Sequence, residues 1–265
     1  MFIMDFIGLA GALLIGIILA VIGSGGSILT LPILVYIMGI EPVHGTAYSL
    51  FIVGITAVTG SIEYARKKLI DFRAALIFAL PALIAVYSTR LYIVPALPDP
   101  LFSIAGTQIG KGTGIMLLFA ALMFAASVSM IRQPTTEENT SDKSHHFLLI
   151  ILEGLVVGIL TGLVGAGGGF LIIPALVLLG NIPMKKAVGT SLLIISVKSL
   201  LGFTGDIQNL EIDWFFLIYF SAFTISGIFA GSYISRHISG NRLKPVFGWF
   251  LLLMGFIIIS RELFL

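Results

Sequence analysis

Two glycine-rich turns hold the residues best suited to chemistry in this chain. Gly23-Ser24-Gly25-Gly26-Ser27 leads into Leu29-Thr30-Leu31-Pro32, and Gly165-Ala166-Gly167-Gly168-Gly169 leads into Leu171-Ile172-Ile173-Pro174. Glycine reaches backbone conformations closed to other residues and lets another group approach the amides. Each turn ends where a short helix would begin. A helix N-terminus presents unpaired N–H groups and the positive end of a dipole to an anion. Ser24 and Ser27 add hydroxyls to the first turn, whereas the second is nearly all backbone. A plainer reading stays open beside this one: small residues allow close helix packing throughout membrane proteins.

A second polar set lies on two later segments. Ser49, Thr56 and Gly60 are spaced by seven and four and share a helix face. Ser191, Lys198 and Gly202 repeat that spacing, with Thr190 alongside. Lys198 falls roughly 15 Å into its span. A lysine at such depth costs about 2.5–3.5 kcal/mol on insertion scales, which makes it a functional candidate. It either offers charge to an anion or exchanges a proton, or it is a structural lysine bonded to carbonyls freed by a helix break. Glu153 is the other candidate for proton coupling, unless it only faces the cytoplasmic mouth. The expected anion site therefore comprises Ser24, Gly25, Gly26, Ser27, Ser49, Gly167, Gly168, Gly169, Thr190, Ser191 and Lys198.

Enzyme chemistry has little to stand on. The absence of cysteine removes thiolate nucleophiles, thiolate metal sites and disulfides. His44, His145, His146 and His237 lie in loops or near helix ends, with no metal-ligand spacing. Gly205-Asp206 resembles part of an intramembrane aspartyl protease motif, but Phe203 stands where that motif has glycine. No catalytic residue, metal or cofactor is expected.

The elements that must position these groups are membrane helices. Hydrophobic residues make up 58% of the chain and charged residues 11%, with mean hydropathy +1.10. Soluble domains carry about 25% charged residues. Long apolar segments fall near 6–22, 28–39, 46–62, 74–95, 113–131, 147–164, 170–181, 187–204, 214–233 and 246–260. A β-barrel would alternate in runs of about ten residues instead. The segments at 28–39 and 170–181 follow the glycine turns and reach only about 18 Å, short of a full crossing. Pro95-Ala-Leu-Pro98-Asp-Pro100 reads as part of an external loop.

The chain is also a duplication. The two turns lie 142 residues apart, and Gly16/Gly158, Ser49-Leu50/Ser191-Leu192, Gly60/Gly202 and Ile70-Asp71/Ile212-Asp213 keep the same offset. Residues 1–131 form the first repeat, 132–146 a polar cytoplasmic linker and 147–265 the second repeat. Eleven of the fifteen Lys and Arg lie in the loops 63–73, 132–146, 182–186 and 234–245, which places those loops in the cytoplasm. Arg90, Lys111 and Arg261 fall on the opposite side. Five segments per half invert the second repeat relative to the first. The expected fold is an all-α multi-pass membrane protein, an inverted 5+5 repeat with both termini outside. Asp71 and Asp213 are placed to cap the helices that follow them.

The motifs Gly23-x-Gly25-Gly26-Ser27-x-Leu-Thr-Leu-Pro32, Gly165-Ala-Gly-Gly-Gly169-Phe-Leu-Ile-Ile-Pro174 and Ala187-Val-Gly-Thr-Ser191-Leu-Leu-Ile-Ile resemble the TauE/SafE sulfite exporter family. The resemblance covers essentially the whole chain. It implies a prokaryotic inner-membrane permease for sulfur-containing anions such as sulfite, thiosulfate or sulfonates, driven by protons. Lys198 departs from the neutral polar residue expected there. The implied partners are a small anion, protons and the lipid bilayer, with no nucleic acid. An anion channel using the same site and, more remotely, an intramembrane enzyme are the alternatives.

Overall fold

The computed structural model describes residues 2–23, 25–104, 107–132, 145–165, 167–178, 182–235 and 240–264. Ser24, Ala166 and linker residues 133–144 lie outside them. The described chain is helical nearly throughout. In the first half α1 (Phe2–Ile22) is followed by α2 (Gly25–Pro32), which continues through a π-helical turn, Ile33–Ile37. Next come α3 (Pro42–Arg66) and α4 (Phe72–Ser88), the latter running through a second π-helical turn, Thr89–Ile93, into α5 (Val94–Ala96). A small antiparallel hairpin of β1 (Phe102–Ile104) and β2 (Thr107–Ile109) precedes α6 (Lys111–Arg132). The second half holds α7 (His145–Val164), α8 (Gly169–Leu178), α9 (Met184–Asp206), α10 (Trp214–Ser235) and α11 (Gly240–Phe264). Among the described residues, six helices are long and apolar enough to cross a membrane. The two short helices after the glycine turns stand where the sequence places them.

Local chemistry explains the helix starts. Asp71 Oδ1 accepts from Ala74 N at 3.0 Å and Asp213 Oδ1 from Phe216 N at 3.0 Å, so both carboxylates cap the next helix as expected. The loop before α6 is ordered by backbone pairing of Phe102 with Ile109 and by Asp99 Oδ1, which accepts from Lys111 N at 3.1 Å.

Small residues set the helix pairs. A Cβ at Gly16 would overlap the Thr224 carbonyl, and one at Gly227 would overlap that of Leu13, so α1 and α10 lie in backbone contact. In α7, Gly154 faces Phe78, Gly158 faces Ala82 and Ala85, and Gly162 faces Thr89, so α7 runs parallel to α4. Two other pairs run antiparallel. Gly60 of α3 meets Leu192 of α9, while Gly202 of α9 meets Leu50 of α3. Gly248 of α11 meets Ile131 of α6, and Gly255 meets Phe124.

Candidate functional site

The second glycine turn gathers most of the buried polar chemistry. The helical ladder of α7 persists to Gly165, whose N–H donates to Thr161 O at 2.8 Å. Gly165, Gly167 and Gly168 then take φ of +70°, +63° and +68°, a region that only glycine enters cheaply. Gly169 opens α8, and Gly168 O accepts from Leu171 N and Ile172 N at 3.0 and 3.2 Å.

Four elements close around this turn. A Cβ at Gly168 would overlap Thr161 and come within 2.6 Å of Lys198 Nζ. One at Gly167 would meet Val53 Cγ1 at 3.0 Å and Ser199 Oγ at 3.2 Å. One at Gly165 would overlap both Thr46 and Arg90 Nη2. Lys198 is fully buried, and its Nζ donates to Thr161 Oγ1 at 2.9 Å. No ion pair to Lys198 occurs among the described residues.

Arg90 is the residue that sequence reasoning misplaced. Counted there as a charge on the outer side, it is instead fully buried. The π-helical turn Thr89–Ile93 carries it, between Gly162 of α7 and Gly205 of α9. Such single wide turns recur at functional sites. Arg90 Nη1 donates to Thr46 Oγ1 at 3.0 Å and to Asp206 Oδ1 at 3.4 Å. Arg90 Nε and Nη2, Asp206 Oδ2 and Ser199 Oγ have no partner among the described residues. Two basic side chains and one carboxyl group thus surround one unwound turn.

The first turn is built differently. Gly23 has φ +81° and its N–H donates to Leu19 O at 2.8 Å. Its Cβ would sit 2.7 Å from Val188 Cγ1. Gly25 and Gly26 are already inside α2. A Cβ at Gly26 would overlap the Ile15 carbonyl and lie 2.6 Å from Leu19 Cβ. Here the close-packing reading describes the glycines. Thr30 Oγ1 donates to Gly26 O at 2.9 Å, and Ser27 is fully buried.

The remaining candidates scatter. Ser49 is buried with no partner for its Oγ among the described residues. Ser191 Oγ donates to Val188 O at 2.8 Å. Thr190 Oγ1 accepts from Asp71 N at 2.9 Å, tying α9 to the start of α4. Glu153 is half-buried and lines a cleft of about 160 Å³ with Asp71, Arg73 and Ile182. A second cleft of about 390 Å³ is lined by Ile40, Glu41, His44, Tyr48, Asp213 and Phe216. Asp71 and Asp213, and Ile182 and Ile40, hold equivalent places in the repeat, so the two clefts correspond. A third, of about 250 Å³, lies among Tyr64, Lys67, Leu69, Lys185 and Ser235. None of the three is lined by a residue of either glycine turn.

Apolar helices with buried polar turns form the setting in which the family relationship can be read. The profile of the family described as Sulfite exporter TauE/SafE matches residues 8–258. This chain belongs to that family. A "Probable membrane transporter protein" of Xylella fastidiosa (strain 9a5c) is 29% identical over 259 residues, covering 94% of this chain and 92% of the relative. The probable membrane transporter protein YunE of Bacillus subtilis (strain 168) is 25% identical over 268 residues, covering 95% and 96%. One from Methanocaldococcus jannaschii is 29% identical over 196 residues, covering 71% and 67%. No solved structure matches the chain. As a member of this family the chain is a multi-pass membrane transporter, and an enzymatic role is set aside.

Proposed function

We propose that the chain is an alternating-access secondary transporter of a small sulfur-containing or organic oxyanion, bound at the second glycine turn. The observation that carries this reading is the buried, positively charged surround of that turn: Lys198 without a carboxylate partner, and Arg90 with donors to spare. Burying such charge is costly, and in transporters it marks the substrate or ion path. Backbone amides of Gly167, Gly168 and Gly169 at the start of α8 add a dipole of the same sign. Among the other sequence candidates, Ser49 stays in the proposed site through its unpaired hydroxyl. Gly25, Gly26 and Ser27 belong to the scaffold of the first turn. Thr190 ties α9 to the start of α4, the Ser191 hydroxyl is bonded within its own helix, and Ser24 lies outside the described residues.

The architecture we infer is an inverted repeat, 1–131 and 147–265, joined by the linker 132–146. Its support is geometric. The repeat counterparts α3 and α9 run antiparallel, as do α6 and α11, while the exchanged pairs α1–α10 and α7–α4 run parallel. A two-fold axis in the membrane plane requires this pattern. Two reciprocal hydrogen bonds agree: Asp71 N to Thr190 Oγ1 and, 142 residues displaced in each partner, Asp213 N to Tyr48 Oη, both 2.9 Å. The corresponding clefts at Asp71 and Asp213 then open toward opposite sides. The basic loops put the first on the cytoplasmic side of the inner membrane, with both termini outside. Glu153, in that cleft, is the proposed proton-coupling carboxylate, with Lys198 as its deeper counterpart.

Reconstitution into proteoliposomes tests this directly. Uptake of sulfite, thiosulfate, methanesulfonate and acetate is expected to saturate for at least one anion, to respond to an imposed proton gradient and to accelerate with the same anion inside. Trans-acceleration separates a carrier from a channel, because only a carrier must return its site. Flux that neither saturates nor trans-accelerates would replace this reading with a channel.

A further inference from the structure

Arg90 is fully buried, yet three of its five N–H donors meet no partner among the described residues. Leaving buried donors unmade is costly, and native proteins seldom tolerate it without a functional reason. The pattern of pairing is specific. Nη1 is held by Thr46 and Asp206, while Nε and Nη2 are both free. Nε and Nη2 lie on one edge of the planar guanidinium and point two donors in parallel. That edge fits two oxygens borne by a single atom, a match that an ammonium group cannot make.

The surroundings favour the same use. Nη2 lies against Gly165, where any side chain would displace it. Ser199 Oγ, a further buried and unpaired hydroxyl, stands beside Gly167 on the same turn. Lys198, at Gly168, contributes charge without direction. Thr46 and Asp206 act on the guanidinium and are positioning residues.

We propose that Arg90 binds the transported anion directly through Nε and Nη2, so that the site selects anions with two oxygens on one centre over monatomic anions. This rests on reading the second turn as the substrate site. The class comprises sulfite, sulfonates and carboxylates; bromide is the matched anion that lacks the second oxygen.

The test compares the unmodified protein with Arg90→Lys and with the double variant Arg90→Gln/Asp206→Asn in proteoliposomes. The double variant removes both members of the Arg90–Asp206 pair, so neither is left without the other. Arg90→Lys keeps the ion pair but loses the fork. Both variants are expected to raise KM for sulfite and methanesulfonate by about tenfold or more, the scale of one lost charge-assisted hydrogen bond. KM within about twofold of the unmodified value in either folded variant overturns the proposal while leaving transport standing. Should both variants fail to fold, melting of the unmodified protein in detergent decides. Sulfite and methanesulfonate should raise the midpoint and bromide at equal ionic strength should not; equal shifts, or none, overturn the proposal. Absence of transport of every anion by the unmodified protein removes the transport reading and this proposal together.

Discussion

The two glycine turns share a sequence pattern but not their surroundings. Around the second turn stand Thr46, Arg90, Thr161, Lys198, Ser199 and Asp206. Shifted by the repeat offset, the residues in those places are Val188, Ser232, Leu19, Thr56, Ala57 and Tyr64. Every charge at the second turn has a neutral counterpart at the first, and all three neutral polar groups have apolar counterparts, Val188, Leu19 and Ala57. The backbones follow suit. The second turn is unwound through Gly168, while Gly25 and Gly26, its counterparts, are already helical in α2. A helix that starts two residues later needs other groups to satisfy or exploit the freed amides. On the proposed reading, the first turn serves as scaffold and the second holds the anion chemistry.

The sharpest way to break this contrast is at the lysine. Lys198→Met removes a buried charge that has no carboxylate partner among the described residues, so the folded protein should be no less stable, and transport should fall by about tenfold or more. Thr56→Val, at the equivalent place, removes one hydrogen bond to Thr224 and should leave flux per folded molecule nearly unchanged. Measuring uptake and folded yield for both decides it. Equal flux in Lys198→Met would take the lysine out of the site.

The glycines give the next largest effect. Gly168→Ala forces a Cβ onto Thr161 and Lys198 at a positive φ, so it should reduce transport severely and cost about 1–3 kcal/mol in strain and overlap. Gly26→Ala also collides, but with Ile15 and Leu19 of α1, and its backbone is helical. It should lower the melting midpoint without changing KM in the molecules that fold. A KM change from Gly26→Ala would restore an anion role to the first turn.

Much of this was legible in the sequence because the signals were local or periodic. Segment length and apolarity marked the long apolar helices, and the glycine turns marked the starts of the short helices α2 and α8. Asp71 and Asp213 read as caps because a capping carboxylate acts within one turn. Lys198 stood out because charge within an apolar run is expensive wherever it points. Arg90 did not, since an arginine near the end of a span looks like an interfacial charge. Only the π-helical turn carries it inward to Asp206, and that turn is set by packing against Gly162 and Gly205 on distant helices. The division of labour between the turns was hidden for the same reason. It lies in Val188 against Thr46 and Leu19 against Thr161, neighbours supplied by other helices. A comparison of each turn's surround at the repeat offset was the available signal.

Smaller effects test the scaffold that the two halves still share. Thr190→Val leaves the Asp71 amide without its acceptor, and Tyr48→Phe does the same to Asp213. Each should cost about 1 kcal/mol, read as a melting shift. Similar losses from both would show that the reciprocal bonds survive duplication as one structural device.

The smallest difference is expected at the caps themselves. Asp71→Ala and Asp213→Ala each free one amide in the first turn of the next helix, at Ala74 and Phe216 respectively. Capping substitutions cost about 0.5–2 kcal/mol, at the low end where water can replace the side chain. Asp213 is exposed and Asp71 half-buried, so Asp71→Ala should be the more damaging by a few tenths of that range. Asp71 also lines the cleft that contains Glu153 and Arg73, whereas Asp213 lines the one with Glu41 and His44. Neither substitution reaches the charged turn, so neither should alter KM. If Asp71→Ala changed KM while Asp213→Ala did not, the asymmetry between the halves would extend from the buried turn to the mouths of the clefts.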